Sequence, residues 1–186
     1  VKPHVPERNG KKVAVVGAGP AGLTAATRLN QKGYTVTVYD AREDAGGLLR
    51  YGIPNFKLIK SIIDRRLNLL REEGIRFEFG VKLVDAKKKS ADDKGEIAAN
   101  IQNDPTLGKD KTVTIDKLSA DYDAVVVATG TPTARDLKIP GRDLKGVYFA
   151  LEMLSQQNRK LAGQEFSRDE LVNAKGKNVL VIGGGD

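Results

Sequence analysis

The sequence predicts an α/β fold built around a parallel sheet, and three observations carry this prediction. Short apolar runs rich in β-branched residues occur at residues 12–16 (KVAVV), 123–130 (DAVVVATG) and 177–182 (KNVLVI), as is typical of strands buried on both faces. The first run leads into a helix pattern and a second strand pattern within about 30 residues, the length of a β-α-β unit. With 40% hydrophobic and 30% charged residues, the 186-residue chain has the composition of a globular protein with a packed core.

The first elements follow in order from the start of the chain. Residues 1–11 include two prolines, an asparagine and a glycine, and we expect them to form an irregular tether. A helix rich in Ala and Leu is predicted from Ala21 to Asn30, and Gly33 is expected to end it. The next segment, YTVTVYD at Tyr34–Asp40, alternates with period two and predicts a strand that ends in an acid.

The middle of the chain predicts a second helix and a small group of strands. The helix is expected from about Asn55 to Glu73, because apolar residues recur at spacings of three and four and line one face: Ile59, Ile62, Ile63, Leu67 and Leu70. Residues 75–84 and 111–115 have strand character, and we expect a small antiparallel meander there with a polar loop at residues 87–110. A later helix is expected from about Tyr148 to Lys160.

The side-chain inventory excludes several kinds of chemistry. Because the sequence contains no cysteine, it cannot supply disulfides, iron–sulfur ligands or thiolate zinc sites. Its single histidine, His4, cannot build a Ser-His-Asp triad or a histidine-based metal site. We therefore predict no catalytic side chain and no metal ligand, and expect a bound cofactor to carry the chemistry.

The net charge of +7 comes largely from residues 50–71, where Asp64 is the only acid among the basic residues Arg50, Lys57, Lys60, Arg65, Arg66 and Arg71. A solvated helix face explains this cluster, and contact with phosphate or an acidic partner is the alternative. Nucleic acid is not an expected partner, because aromatic residues make up 5% of the chain and no binding motif is present. Neither a signal peptide nor a membrane-spanning apolar run is visible, so we expect a cytoplasmic protein.

The motif that carries function is the run Gly17-Ala18-Gly19-Pro20-Ala21-Gly22, which lies between the first strand and the first helix. In this G-x-G-x-x-G pattern the first glycine permits a tight turn, the second lets the backbone approach a pyrophosphate, and the third allows close helix–strand packing. Proline suits the first helical turn, and the free amides there attract a diphosphate. The context predicts a Rossmann-like dinucleotide site.

Asp40 lies at the end of the second strand, where an acid accepts hydrogen bonds from ribose hydroxyls. Its charge would repel a 2′-phosphate, so the first site should prefer FAD or NAD over NADP; an ordinary exposed acid at a strand end is the alternative. Gly46, Gly47 and Leu48 favour FAD, because a second glycine pair lets another loop approach a long extended cofactor. An ordinary loop explains this pair equally well.

Gly183 and Gly185 repeat the spacing of the first two motif glycines after another apolar run. Two dinucleotide sites in series indicate a flavin that accepts a hydride from a nicotinamide nucleotide. The third glycine of this second motif would fall at position 188, past the last residue of the sequence.

Several longer segments resemble one family closely. The segments GAGPAGL (17–23), VYDAREDAGGLLRYGIPNFKL (38–58), RDLKIPGRDLKGVYFALEML (135–154) and AKGKNVLVIGGGD (174–186) are similar to the small (β) subunit of bacterial NADPH-dependent glutamate synthase. The resemblance covers nearly the whole chain and is weakest at residues 85–119.

The resemblance implies a FAD-binding domain interrupted by an NADPH-binding domain. Residues 12–146 would form the first part of the FAD domain, and residues 147–186 a linker helix and the first strand of the NADPH domain. Beyond the glycine motifs and Asp40, it implies cofactor contacts at Lys57, Leu83, Ala128, Thr129 and Gly130.

The resemblance also implies partners and limits. Electrons would pass from NADPH through FAD, and then through iron–sulfur clusters that this chain does not ligate, to a large subunit that forms glutamate. Related flavoproteins are the alternative, among them ferredoxin-linked NAD(P)H reductases and dihydropyrimidine dehydrogenase. A nucleotide-binding fragment without turnover is a second alternative.

Overall fold

The computed structural model describes residues 2–85, 111–131, 134–168 and 170–183. In chain order the elements are β1 (Lys12–Val16), α1 (Pro20–Gln31), β2 (Thr35–Asp40), α2 (Leu48–Tyr51), α3 (Lys60–Glu72), β3 (Arg76–Phe79), β4 (Val81–Val84), β5 (Lys111–Thr114), α4 (Ile115–Asp121), β6 (Ala124–Val127) and α5 (Ala150–Leu161).

The main sheet has the strand order β3-β2-β1-β6. All of its pairs are parallel, and Val13 lies opposite Val36 of β2 on one side and Ala124 of β6 on the other. The predicted α/β fold with a parallel sheet is confirmed. Because the carboxyl ends of parallel strands share one edge, the loops after β1, β2 and β6 meet there.

The apolar side chains of β1 are buried on both faces of the sheet, as the sequence predicts. Val15 packs with α1 and α3 in one cluster, while Ala14 and Val16 belong to a second cluster with β4, β5 and α4. The face of α3 is narrower than predicted: Ile63, Leu67 and Leu70 are buried, but Ile59 and Ile62 are exposed. Ile59 precedes the first helical turn, and Ile62 is rotated about 100° from Ile63.

The predicted antiparallel meander is wrong, because β4 and β5 pair in parallel with Leu83 opposite Val113. A parallel pair needs a crossover of about a dozen residues or more, and residues 85–110 provide that length. The predicted loop at residues 87–110 lies outside the described residues. The strand predicted at 111–115 ends at Thr114, whose side chain caps α4 by accepting the Lys117 N–H.

Two predicted buried strands differ from expectation. At residues 123–130, β6 forms only over Ala124–Val127, at the edge of the sheet that the described residues build, and Val127 at its end is 59% exposed. At residues 177–182 the backbone is not in a strand, and Val179, Leu180, Val181 and Ile182 are exposed. Neither of the two sheets formed by the described residues includes this segment, so no described strand pairs with the apolar run.

The first residues are irregular, as predicted, but their end is anchored. The Arg8 guanidinium donates to the Asn30 side-chain oxygen (2.6 Å) and to the Tyr34 carbonyl (2.7 Å), and the Asn9 N–H donates to the Gly33 carbonyl (3.0 Å). These bonds fix the segment against the end of α1. Among the described helices, none combines the length and apolar character needed to cross a membrane.

Candidate dinucleotide site

The first glycine loop turns tightly between β1 and α1 and leaves no room for side chains. Gly17 has a φ of 108°, a conformation that L side chains rarely adopt, and a Cβ there would overlap the Ala128 carbonyl oxygen. A Cβ on Gly22 would overlap the Gly17 carbonyl oxygen. The tight turn predicted at Gly17 and the close helix–strand packing predicted at Gly22 are therefore both present in the backbone.

The start of α1 is open to an anion. Gly19 is the N-cap residue with extended backbone, no side chain caps the helix, and no acid lies in its first turn. Pro20 occupies the start of the helix, and both Pro20 and Ala21 are exposed. The first-turn amides of a 12-residue helix thus present a positive end to the carboxyl edge of the sheet.

The second glycine pair touches the first glycine loop. The Gly46 N–H donates to the Ala18 carbonyl at 2.8 Å, and a Cβ on Gly47 would lie 2.9 Å from the Gly19 Cα. Leu48 follows as the first residue of α2 and is exposed. The Gly46-Gly47 pair thus packs against the dinucleotide motif, and its predicted contact with a cofactor stays a prediction.

Asp40 faces the same loop from the end of β2. One carboxylate oxygen accepts the Ala18 N–H at 2.6 Å, and the other accepts the Arg42 N–H at 2.9 Å. The Gly17 N–H also donates to the Tyr39 carbonyl at 2.7 Å. The acid is therefore fixed beside the glycine motif and is half-buried, and each carboxylate oxygen has a second lone pair for a further donor.

The other predicted site residues lie on several elements. Ala128 adjoins the loop, since its N–H donates to the Val16 carbonyl at 2.7 Å, and Thr129 and Gly130 follow it in exposed positions. Leu83 is half-buried on β4 within the second apolar cluster, on the opposite face of β1 from α1. Lys57 and Gly183 are exposed, and Gly185 lies outside the described residues.

Sequence reasoning missed two residues that brace this site, Arg50 and Lys60. Arg50 donates to the Ala45 carbonyl at 2.6 Å and forms ion pairs with Asp44 and Asp64. It therefore ties the second glycine loop to α3. The interpretation of the basic cluster as one solvated face is wrong for Arg50 and Lys60, although Lys57, Arg65, Arg66 and Arg71 are exposed. No local pattern separates the bonded residues Arg50 and Lys60 from the exposed basic residues. The partners of Arg50, for example, come from separate elements.

Comparison with known proteins decides the family. Residues 11–186 match the family described as pyridine nucleotide-disulphide oxidoreductase. The chain belongs to this family. The sequence contains no cysteine, so the chain itself supplies no disulfide.

Relatives within this family narrow the relationship. The chain is 42% identical over 187 residues to the glutamate synthase [NADPH] small chain of Bacillus subtilis, covering 100% of this chain and 33% of that protein. It is also 42% identical over 180 residues to the glutamate synthase [NADH] of Schizosaccharomyces pombe, covering 97% of this chain and 7% of that protein. The resemblance to the glutamate synthase small subunit is confirmed, and this chain spans about a third of the bacterial small chain's length.

A solved oxidoreductase structure supports the fold. FprA, an oxidoreductase of Mycobacterium tuberculosis solved in complex with NADPH, matches with a TM-score of 0.58 and 26% identity, covering 80% of this chain and 29% of that one. This family binds FAD and a pyridine nucleotide, so the predicted cofactor types are confirmed.

The residues present fit the diphosphate of such a cofactor. Two backbone loops meet at Gly19 and Gly47 without side chains between them, and the first-turn amides of α1 are uncapped. Across the described ranges, no group of three or more His, Cys, Asp or Glu side chains is placed to hold a metal ion.

Proposed function

We propose that this chain is the FAD-binding portion of a glutamate synthase small subunit, which passes electrons from NADPH through FAD to a glutamate-forming large subunit. The observation that carries the proposal is the contact between the two glycine loops at the uncapped start of α1, with Asp40 fixed beside them. The identity to bacterial and fungal glutamate synthases supports the choice among flavoproteins. A cytoplasmic location belongs to the proposal, since reduced nicotinamide nucleotides are available there.

Each part of the site has a proposed task. The amides of residues 17–22 would hold the FAD diphosphate, and Asp40 would accept hydrogen bonds from the adenosine ribose. The Asp40 carboxylate lies beside the loop, 2.6 Å from the Ala18 nitrogen. Its negative charge would repel the 2′-phosphate of NADP, which favours FAD at this position. Further contacts are proposed from Gly46, Gly47, Leu48, Lys57, Leu83, Ala128, Thr129 and Gly130.

Bound FAD would supply the chemistry by accepting a hydride and releasing electrons one at a time. The chain's own residues would orient the cofactor and exclude water, so we propose no acid or base among them. Gly183 and Gly185 would begin the NADPH site, and residues 12–146 and 147–186 would belong to the FAD and NADPH domains. The iron–sulfur clusters would be ligated outside this sequence, because it has no cysteine.

Gly19→Ala tests the proposed FAD site without disturbing the fold. Gly19 has a φ of −76°, which any residue adopts, and the nearest atom to an added Cβ is the Gly47 Cα at 4.0 Å. The methyl group would instead occupy the path of a diphosphate against the backbone. We expect at least a tenfold rise in the FAD dissociation constant, measured by quenching of flavin fluorescence in the full-length protein.

The control is the unfolding of the FAD-free protein in urea, whose midpoint should be the same for Gly19→Ala and the unaltered chain. Equal FAD affinity in the two proteins would contradict the proposed site. Failure of the full-length protein to take up FAD would overturn the proposed function itself.

A further inference from the structure

Helix α5 carries two buried amide side chains, Gln156 and Asn158. A buried amide is costly unless its hydrogen bonds are made, and both side chains bond to backbone groups of other segments. Gln157, which lies between them, is exposed. Gln156 and Asn158 therefore bond to particular main-chain atoms in the interior, while Gln157 faces solvent.

One set of bonds holds the segment that follows the second glycine pair. The Asn158 side chain donates to the Ile53 carbonyl and the Ser155 hydroxyl donates to the Tyr51 carbonyl, each at 3.0 Å. Between them, a Cβ on Gly52 would lie 3.3 Å from the Leu151 side chain. Helix α5 thus packs directly on the backbone of residues 51–53.

The same segment is held from α3 by Lys60. Its ammonium group donates to the carbonyls of Ile53 (2.6 Å), Leu49 (2.9 Å) and Leu58 (3.1 Å). Burial, and secondarily the charge of Arg50, lowers the pKa of Lys60 below its ordinary value. The Ile53 carbonyl therefore accepts from both helices, and residues 48–58, which include Leu48 and Lys57, are fixed at both ends.

A second set of bonds from α5 holds the chain that leads to the second glycine motif. The Gln156 side chain donates to the Glu170 carbonyl and accepts the Val172 N–H at 2.8 Å. From this contact the chain runs through eleven further residues to Gly183, the first glycine of the second motif. Neighbouring side chains on one helix thus contact the segment after the second glycine pair and the segment that leads to the second glycine motif.

We infer that α5 is a brace between the flavin-contacting segment and the approach to the nicotinamide site, with Ser155, Gln156 and Asn158 as positioning residues for hydride transfer. This inference rests on the proposed function. Residues 51–53 and 170–172 are bonded to positions only a few residues apart on a rigid helix, so a lost bond on either side lets one segment move relative to the other. A displacement of the donor from the acceptor slows a transfer step without removing either cofactor.

The test compares Asn158→Ala, Gln156→Ala and the matched control Gln157→Ala in the full-length protein. Without FAD, hydrogen exchange should be at least tenfold faster in residues 49–58 for Asn158→Ala, and in residues 170–174 for Gln156→Ala. With FAD bound, flavin reduction by NADPH in a stopped-flow instrument should slow about tenfold in both variants. Gln157→Ala should match the unaltered protein in both measurements.

Ser155 supplies a milder pair of variants in case the amide substitutions prevent folding. Ser155→Ala removes one hydroxyl donor and should speed exchange at residues 49–53, while Ser155→Thr keeps the donor and should restore the original rate. Exchange and reduction rates in Asn158→Ala and Gln156→Ala no different from those in Gln157→Ala would overturn the brace. If the unaltered protein binds no FAD, the proposed function fails, while the exchange rates still decide whether α5 holds the two segments.

Discussion

Two stretches of the chain have the same pattern, an apolar β-branched run that leads into glycines, but they differ in strand pairing and burial. KVAVV at 12–16 lies between two parallel strands, and Val15 is fully buried. NVLVI at 178–182 pairs with none of the described strands, and Val181 is 76% exposed. The comparison shows that an apolar run specifies a strand only where neighbouring strands supply hydrogen bonds and covering layers bury its faces.

The glycines after the two runs differ in the same way. Gly17 is enclosed by the end of β6, so its lack of a side chain is required by contact. Gly183 shares the positive φ, at 111°, but no atom of the described residues lies within 4 Å of a Cβ added there. Geometry suited to a dinucleotide is therefore present at the first motif, and it depends on the surrounding sheet as much as on the glycines.

The largest expected effect comes from Gly17→Ala. The added methyl group would overlap the Ala128 carbonyl oxygen at a backbone conformation that alanine disfavours, so we expect a loss of at least about 3 kcal/mol in unfolding free energy. Gly183 also has a positive φ, 111°, but a Cβ added there meets no atom of the described residues within 4 Å, so the loss for Gly183→Ala should be limited to backbone strain of about 1–2 kcal/mol. Urea unfolding of the 186-residue chain, followed by circular dichroism, measures both, and equal losses would contradict the comparison.

Val15→Ala and Val181→Ala apply the comparison to the apolar runs. Val15 is fully buried, and removal of its two methyl groups should cost about 2 kcal/mol through lost burial and the cavity left behind. Val181 is exposed, so its substitution should change stability by less than about 0.5 kcal/mol. The same urea titrations measure both changes in unfolding free energy. A loss for Val181→Ala as large as that for Val15→Ala would show that residues 178–182 are buried in solution.

The comparison also explains how much could be predicted from sequence. The elements β1, α1 and β2 were predictable because strand period, helix composition and glycine spacing are local signals. The direction of the β4–β5 pair was not, because it depends on a crossover that the strand residues do not encode. Helix α4 was missed although Thr114 is a good N-cap residue, because Ile115 was assigned to the preceding strand.

The candidate site divides in a similar way. Gly17–Gly22 and Asp40 were predictable because the motif, its position after a strand and the acid reinforce one another. The contact of Gly47 with Gly19 was not predictable, because the sequence indicates only that a glycine pair lets a loop approach a cofactor or forms an ordinary loop. The roles of Arg50 and Lys60 depend on carbonyls and acids brought together by tertiary packing, for which no spacing rule exists.

Asp40→Asn tests the negative charge beside the first glycine loop. The substitution keeps the size of the side chain but replaces a charged acceptor of the Ala18 and Arg42 N–H groups by a neutral one. Since hydrogen bonds to charged groups are the stronger kind, we expect a loss of about 1.5 kcal/mol in unfolding free energy without FAD, and weaker FAD binding. Asp143→Asn, at an exposed position, is the control and should change neither quantity.

The smallest effect concerns Tyr51, which ends α2 and lies close to the second glycine loop. Its side chain is 5% exposed, with the hydroxyl 3.5 Å from the Asp44 carbonyl. Burial, with Asp44 as the next cause, raises the pKa of Tyr51 from 10.0 to about 12. The folded state thus keeps the phenol protonated above the pH at which the unfolded chain loses its proton. Its contribution to stability is complete below pH 10 and is lost as the pH rises through 12.

Urea unfolding at pH 9 and pH 11 tests this dependence. The unaltered protein should lose about 1 kcal/mol from Tyr51 over that interval, and Tyr51→Phe should remove this part of the loss. A remainder is expected from Tyr39, whose pKa is also raised by burial. Tyr148→Phe, at an exposed tyrosine on the approach to α5, should leave the loss unchanged. If Tyr51→Phe and the unaltered protein lose equal stability, the segment after the second glycine pair is open to solvent, and the contrast with residues 178–182 would not extend beyond the first loop.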